Sequence, residues 1–145
     1  MSDDLVKLYS GQLLALAAQI PHLGRLPAPQ GSASRRSPLC GSTITADVVL
    51  RDGRVAEFAQ EVRACALGQA SAAVLGAVAQ GRSRAELVTA RAALAAMLAE
   101  NGPPPDAPFD GYAVLVAARD YRNRHASILL ALDALIAAME AAGAA

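Results

Sequence analysis

Apolar side chains recur along this chain with two different periods, and the change from one to the other divides it. Leu5, Leu8, Tyr9, Leu13, Leu16 and Ile20 follow at three- and four-residue steps, the stripe of an amphipathic helix. Ser2 or Asp3 is placed to cap that helix, and Pro21 to stop it. Pro21 to Gly31 holds three prolines and two glycines and reads as an extended connector, with His22 an exposed loop histidine. Ser32 to Leu39 is polar and basic and suits an edge strand ended by Pro38.

From Thr43 the period falls to two. Ile44, Ala46, Val48 and Leu50 face one way, Thr45 and Asp47 the other. Asp52-Gly53 is a type I′ hairpin signal. Arg54 to Val62 then returns as the partner strand, with Ala56, Phe58 and Val62 on one side. A lone hairpin is marginal in water, so its apolar face must pack on helices.

The helical period resumes after the hairpin. Ala66 to Ala79 is a helix of small residues ended by Gly81, and such a surface lets another backbone come close. Ser83 and Glu86 form a capping box for the next helix, whose stripe is Leu87, Leu94, Met97 and Leu98; Asn101-Gly102 ends it. Pro103 to Pro108 is a stiff linker. Phe109 to Val116 fits either a strand or a helical turn. A last helix, from about Tyr121 to Ala142, carries Ile128, Leu129, Leu132, Leu135, Ile136 and Met139. Segregated helix, strands and helices predict an α+β fold: an N-terminal helix and a small antiparallel sheet, hairpin plus edge strand, packed against a cluster of helices.

Composition narrows this. A chain of 145 residues fits one domain, residues 1–145. The hydrophobic fraction is 54 %, much of it alanine, with 3 % aromatics, which favours close-packed helices over π-stacking. Thirteen basic and thirteen acidic side chains cancel, so no basic excess points to nucleic acid or an anionic membrane. Asp3 and Asp4 stand where a signal peptide would be positive. No apolar run approaches the ~20 residues of a membrane span. These features predict a cytoplasmic protein, in which two cysteines are thiols rather than a disulfide.

Those cysteines are the main candidates for chemistry. Cys40 lies between Leu39 and Gly41, in a turn entering a strand, and Gly41 lets the backbone bend behind the thiol. Cys65 lies where the returning strand becomes a helix, near free N–H groups that favour thiolate. The hairpin between them should bring both to its open end, a geometry suited to a soft metal. Spacing alone leaves three readings open: a shared metal, inert thiols, or redox chemistry. His125 is the other strong ligand type, and a lone histidine near a helix start is also commonly structural or solvated. Ser127 is a weak ligand, more often a cap or surface hydroxyl. Arg119, Arg122 and Arg124 form either a solvated face or an electrostatic support for thiolates. Gly81 to Arg84 lacks the lysine and spacing of a phosphate loop.

Several segments together resemble the IscU/SufU/NifU-N family of iron–sulfur cluster assembly scaffolds. Ser37-Pro-Leu-Cys40-Gly41-Ser42 resembles the family's Asn-Pro-x-Cys-Gly-Asp, and Cys65-Ala-Leu-Gly-Gln-Ala-Ser71 resembles Cys-Ala-Ile-Ser-x-Ala-Ser. Pro21-His-Leu-Gly24-Arg-Leu26 is similar to the connector after the first helix, and Gly81-Arg-Ser83 to the Gly-Lys-Ser turn. Arg124-His-Ala-Ser127-Ile-Leu-Leu-Ala131 is similar to Arg-x-Lys-Cys-x-x-Leu-Ala. The likeness spans about residues 5–140 and implies a SufE/NifU-like fold.

The resemblance also implies a non-enzymatic role. A scaffold of this kind binds a nascent cluster, or zinc, through three cysteines and an aspartate. It receives sulfur from a cysteine desulfurase and passes the cluster to acceptor proteins. Cys40 and Cys65 carry over as ligands. The aspartate position holds Ser42 and the third cysteine position Ser127, with His125 two residues earlier. Hydroxyls are poor ligands for iron or zinc, which prefer thiolate and imidazole. The expected site is therefore Cys40, Cys65 and His125, with Ser42, Ser127, Asp47, water or an exogenous thiol as the fourth ligand, holding iron, zinc or a cluster such as [2Fe–2S]. A homodimer sharing one cluster would supply Cys40 and Cys65 twice. Serine cannot form a persulfide, so sulfur acceptance would fall to Cys65 or Cys40. Two rivals remain: a site-degenerate homologue that regulates a desulfurase or cluster assembly by binding, and a small thiol enzyme using Cys65.

Overall fold

The computed structural model describes residues 3–145, with side chains from Ser10 onward. Helix α1 spans Asp3–Ala17. The capping side chains of Ser2 and Asp3, and the stripe residues Leu5, Leu8 and Tyr9, lie outside the described side chains. Of the rest of that stripe, Leu13 is buried, while Leu16 and Ile20 pack half-buried against the core. The connector that follows is tied to the sheet rather than loose. Gly24 N donates to Gln60 O, and Gln60 N donates to His22 O. His22 is exposed, as its loop position implied, and its ring meets Phe58 edge-on at 5.8 Å.

Three antiparallel strands follow in the order β1 (Gly31–Arg36), β2 (Thr43–Arg51) and β3 (Arg54–Arg63), with β2 central. The polar, basic segment is thus the edge strand its composition suggested. Asp52 and Gly53 turn β2 into β3 with φ of 54° and 74°. Positive φ at both central residues is type I′ geometry, which matches strand twist. Ile44, Ala46 and Val48 are buried on one face, as alternation predicted.

Two details of the sheet differ from the sequence expectation. The register shifts between Val49 and Leu50, so Leu50 pairs with Val55 and Val49 with Glu57. This bulge leaves Ala56 without an opposite residue, and Val55, not Ala56, enters the core. Asp47, on the other face, is fully buried rather than solvated. It accepts hydrogen bonds from Arg25 Nε (2.7 Å) and Nη2 (3.0 Å), Leu26 N (3.0 Å) and Ser32 Oγ (2.6 Å). Burial alone would raise its pKa; those four bonds outweigh it and hold the carboxyl below its ordinary value.

Helix α2 (Ala66–Val78) begins directly after β3, and α3 (Arg84–Ala99) follows a turn through Gly81 at φ 87°. The capping box is present: Glu86 N donates to Ser83 Oγ, and Ser83 N to Glu86 Oε1, both at 3.2 Å. Asn101 adopts φ 55° and ends α3. Phe109–Ala118, ambiguous in sequence, is 3₁₀ helix, and it buries Phe109, Tyr112 and Leu115. A short 3₁₀ turn at Arg122–Arg124 precedes α4 (His125–Ala141), so the last helix starts four residues later than its periodicity suggested.

Helix α4 organises the packing. It lies against β1, β2, α2 and α3, and α2 lies in turn against α1 and the 3₁₀ segment. Glycine permits the closest approaches. A Cβ on Gly31 would fall 2.6 Å from Ala142 N, so β1 runs almost onto the end of α4. A Cβ on Gly68 would fall 2.6 Å from Ser127 Oγ, so α2 meets the first turn of α4 backbone to side chain.

Candidate metal centre

The hairpin places both cysteines at one end of the sheet. Thr43 opens β2 opposite Arg63, which closes β3. Cys40 lies in the loop entering β2, and Cys65 is the N-terminal cap residue of α2. The β1–β2 loop is fixed by Ser37 N donating to Ser42 O at 2.8 Å and Gly41 N to Ser37 O at 2.9 Å. Gly41 supplies the positive φ, 71°, that the loop requires. The first turn of α4 adds Ser127 from the third side.

These residues form a continuous line of contacts. Cys40 Sγ lies 3.0 Å from Ser42 Oγ, Ser127 Oγ donates to Ser42 Oγ at 3.1 Å, and Cys65 Sγ lies 3.5 Å from Ser127 Oγ. Cys40 Sγ also donates to Ser37 Oγ at 3.3 Å. Both thiols are free and half-buried, while Ser37, Ser42 and Ser127 are buried. The proton directions follow from the single proton each hydroxyl owns. Ser127 gives its proton to Ser42, so Ser42 can turn its own toward Cys40. The bond between Cys65 and Ser127 is then donated by the Cys65 thiol. The line therefore ends on the Cys40 sulfur as an acceptor.

That arrangement favours the Cys40 thiolate. Once ionised, Cys40 can only accept, so the Ser37 hydroxyl turns to donate to it; hydrogen bonds from the Ser37 side chain, then from the side chain and backbone of Ser42, lower its pKa from 9.0 to about 6, with burial opposing them and Ser127 adding a smaller share. Ser37 was not singled out in the sequence. The available signal was a polar side chain three residues before a cysteine in a turn, where the resembling family has asparagine.

Two expected participants do not reach this cluster. His125 Nε2 lies 2.9 Å from Arg119 O and 3.3 Å from Ala118 O, in contact with the 3₁₀ backbone. Among the described residues, no three of histidine, cysteine, aspartate and glutamate gather as a metal site. The expected convergence of His125 with the two thiols is therefore absent. It opens α4, two residues before Ser127, and its ring satisfies carbonyls at the end of the preceding segment. Asp47 is excluded as a fourth ligand by its own four donors. The arginines do not surround the thiols as a group either. Arg119 donates to Met97 O (2.6 Å) and Gly102 O (2.7 Å), pinning the end of α3, and Arg122 is exposed. Arg124 instead lines a groove of about 720 Å³ with Leu13, Leu14, Ala66, Leu67 and Tyr121, directly beside Cys65.

The fold recurs in known proteins. The chain superposes on the N-terminal part of a nitrogen-fixing NifU-like protein from Brucella abortus with 40 % identity and a TM-score of 0.90, covering 96 % of this chain and 97 % of that one. This chain belongs to the NifU-like N-terminal family. A candidate SUF-system iron–sulfur cluster assembly scaffold from Fervidobacterium islandicum shares the fold of this NifU-like chain, at 16 % identity and a TM-score of 0.79, with 92 % and 97 % of the two chains covered. A protein solved without an assigned function does so at 19 % identity and a TM-score of 0.78, over 92 % and 98 %. No family model and no curated protein matches the NifU-like chain.

Proposed function

We propose that this NifU-like chain is an iron–sulfur cluster assembly scaffold or carrier. It holds iron, zinc or a labile cluster on Cys40 and Cys65 and hands its cargo to acceptor proteins. A scaffold carries its cargo without converting it, so no residue is assigned a catalytic role. One observation carries the reading. Two cysteines far apart in sequence end at the same corner of the sheet, joined through Ser42 and Ser127 and still half-accessible. Thiolate is the donor that iron, zinc and iron–sulfur clusters prefer. The described neighbours, a NifU-like protein and a SUF-system scaffold candidate, support the same cargo.

The partners in this reading are a cysteine desulfurase, which supplies sulfur, and cluster-accepting proteins. A cytoplasmic setting fits, because it keeps both thiols reduced. No helix among the described residues is long and apolar enough to cross a membrane.

Anaerobic reconstitution with iron and sulfide tests the proposal. It should yield a visible cluster chromophore, or zinc should copurify. Cys40→Ser and Cys65→Ser should each abolish metal binding while the circular dichroism of the fold is kept. A protein that takes up neither iron nor zinc under these conditions overturns the reading.

The Ser42–Ser127 contact favours a second reading. Two buried hydroxyls satisfying each other stand where the resembling family has ligands. A homologue that had lost its cargo would keep only the docking surface and regulate a desulfurase by binding it. A Cys40→Ser/Cys65→Ser double variant that still captures the desulfurase, from a wild type that binds no metal, would favour this second role.

A further inference from the structure

A different pair of arginines stands at the thiol corner, on the outer face of the sheet. Helix α4 covers the face that carries Ile44, Ala46 and Val48. Thr43, Thr45 and Asp47 belong to the other face. Residues directly opposite in neighbouring strands share a face. Arg36 pairs with Thr43 and Thr43 with Arg63, so the last row of the sheet is arginine, threonine, arginine. With strands ~4.8 Å apart, the two arginines are rooted ~10 Å from each other. Both are exposed, and Thr43 between them is half-buried. The row borders the thiols. Arg63 comes two residues before Cys65, and Thr43 three residues after Cys40. Arg36 leans over the loop that holds Cys40, with Nη2 4.0 Å from where a Cβ on Gly41 would stand.

These two cations lack the partners that others have. Among the described residues, Arg25, Arg54, Arg82, Arg84 and Arg91 each pair with a carboxylate, and Arg36 and Arg63 pair with none. Glu61, in the next row, lies 3.6 Å from Arg25 Nη1. Arg63 and Glu61 line a hollow of about 280 Å³ with Thr43 and Thr45. Its walls are polar, so an apolar ligand gains little there, and the two arginines repel a bare metal cation. A small anion with several carboxylates fits both its size and its charge. Each guanidinium presents paired N–H donors that match one carboxylate. We propose that the Arg36–Thr43–Arg63 row binds a small polycarboxylate, and that iron reaches Cys40 and Cys65 as its complex. The proposal rests on the scaffold reading above and adds the form in which the cargo arrives. Transfer is ligand exchange. Bonds from iron to carboxylate oxygen break as bonds to the two sulfurs form, the thiol protons leave to solvent, and no electron moves.

Calorimetric titration of the metal-free full chain with citrate tests the site without iron. Binding should be seen at low ionic strength and weaken with added salt. Arg36→Gln and Arg63→Gln should each weaken it about two- to fivefold, and Glu61→Gln should strengthen it. Anaerobic iron loading, followed by thiolate-to-iron absorption, tests the delivery. The double variant Arg36→Gln/Arg63→Gln should load more slowly than wild type from ferrous citrate and faster from aqueous ferrous ion, opposite signs that a merely structural role would not give. Citrate that does not bind, or that binds the double variant equally well, overturns the inference and leaves the scaffold reading standing. A glutamate-only peptide that binds this row where citrate does not marks a protein-docking face and overturns it too. Loading rates that change in the same direction, or not at all, overturn delivery as a complex. A chain that binds citrate but takes up iron from neither source overturns the delivery together with the scaffold reading.

Discussion

In metal-free protein carrying Cys65→Ser, Cys40 is the one thiol left, and serine at 65 keeps a hydroxyl beside Ser127. Its titration then reads the hydroxyl line directly. The Ser37 and Ser42 bonds lower the Cys40 pKa from 9.0 to about 6. At pH 7 such a group is ~90 % thiolate, against ~1 % for an unshifted one. Reaction rate does not rise in that proportion, because a less basic thiolate is a weaker nucleophile. With a Brønsted slope of about 0.4–0.5, each Cys40 thiolate attacks a disulfide ~15–30-fold more slowly, leaving a net gain of only ~3–6-fold. The pH midpoint is therefore the decisive quantity, and the absolute rate is not.

Stopped-flow reaction with a small disulfide probe, from about pH 4.5 to pH 9, should show a midpoint near pH 6. A hydrogen bond to a charged acceptor is worth about 1.5–3 kcal/mol, and one pH unit is about 1.4 kcal/mol. Ser37→Ala and Ser42→Ala should thus each raise the midpoint by ~1–2 pH units. The sign for stability follows from the same shift. Cys40 is an acid whose folded pKa lies below its unfolded one, so its contribution is complete above pH 9 and is lost as pH falls through about 6. A midpoint above about pH 8, or one that neither alanine moves, would refute the proton directions assigned to the Cys40–Ser42–Ser127 line.

Three further outcomes follow from the structure. Asp47→Ala leaves Arg25, Leu26 N and Ser32 without their shared acceptor and should cost ~3–5 kcal/mol in urea unfolding. Because the folded Asp47 pKa is lowered, its contribution is present above pH 3.8 and lost as pH falls through the folded value; the variant should lose that part of the acid dependence. Gly68→Ala gains ~1 kcal/mol of helix propensity but drives a methyl against Ser127 Oγ and Ala64 Cβ. The net should be a loss of ~1–2 kcal/mol together with weaker iron retention, and a variant that is more stable than wild type would contradict the packing described. His125→Ala should leave reconstituted iron content unchanged and cost ~1 kcal/mol of stability for its lost carbonyl bond; loss of iron in this variant would return His125 to the ligand set.

What was legible in the sequence depended on short-range rules. Asp52-Gly53, the Ser83/Glu86 capping box and the switch from a period of two to a helical period each act within a few residues, and each appears where expected. The placement of Cys40 and Cys65 at the same end of the sheet was legible for the same reason, because a tight turn fixes the register of everything beyond it. Features decided by tertiary contact were not legible. Alternation cannot reveal the bulge at Ala56, since one unpaired residue reverses the facing of all those before it. Asp47 looks like any outward polar residue until Arg25, Leu26 and Ser32 fold over it. His125 lies two positions from Ser127, but on a helix neighbours at that spacing point apart, so closeness in sequence misled.

The two serines deserve to be considered as a pair. A single buried hydroxyl at position 42 or 127 would need a partner or cost free energy for its lost hydration. Their direct contact, Ser127 Oγ to Ser42 Oγ at 3.1 Å, supplies that partner, and the thiols on either side complete the line. Replacing only one of the two by a charged or larger ligand strands the other in a packed corner, with Gly68 already at the limit of approach. Gain of ligand function should therefore require both positions. Ser42→Asp alone and Ser127→Cys alone should each destabilise the metal-free protein by ~1–3 kcal/mol in urea unfolding, without raising cluster occupancy per chain. Only the double variant should raise that occupancy, and a single variant that does so unaided would show that the serines act independently.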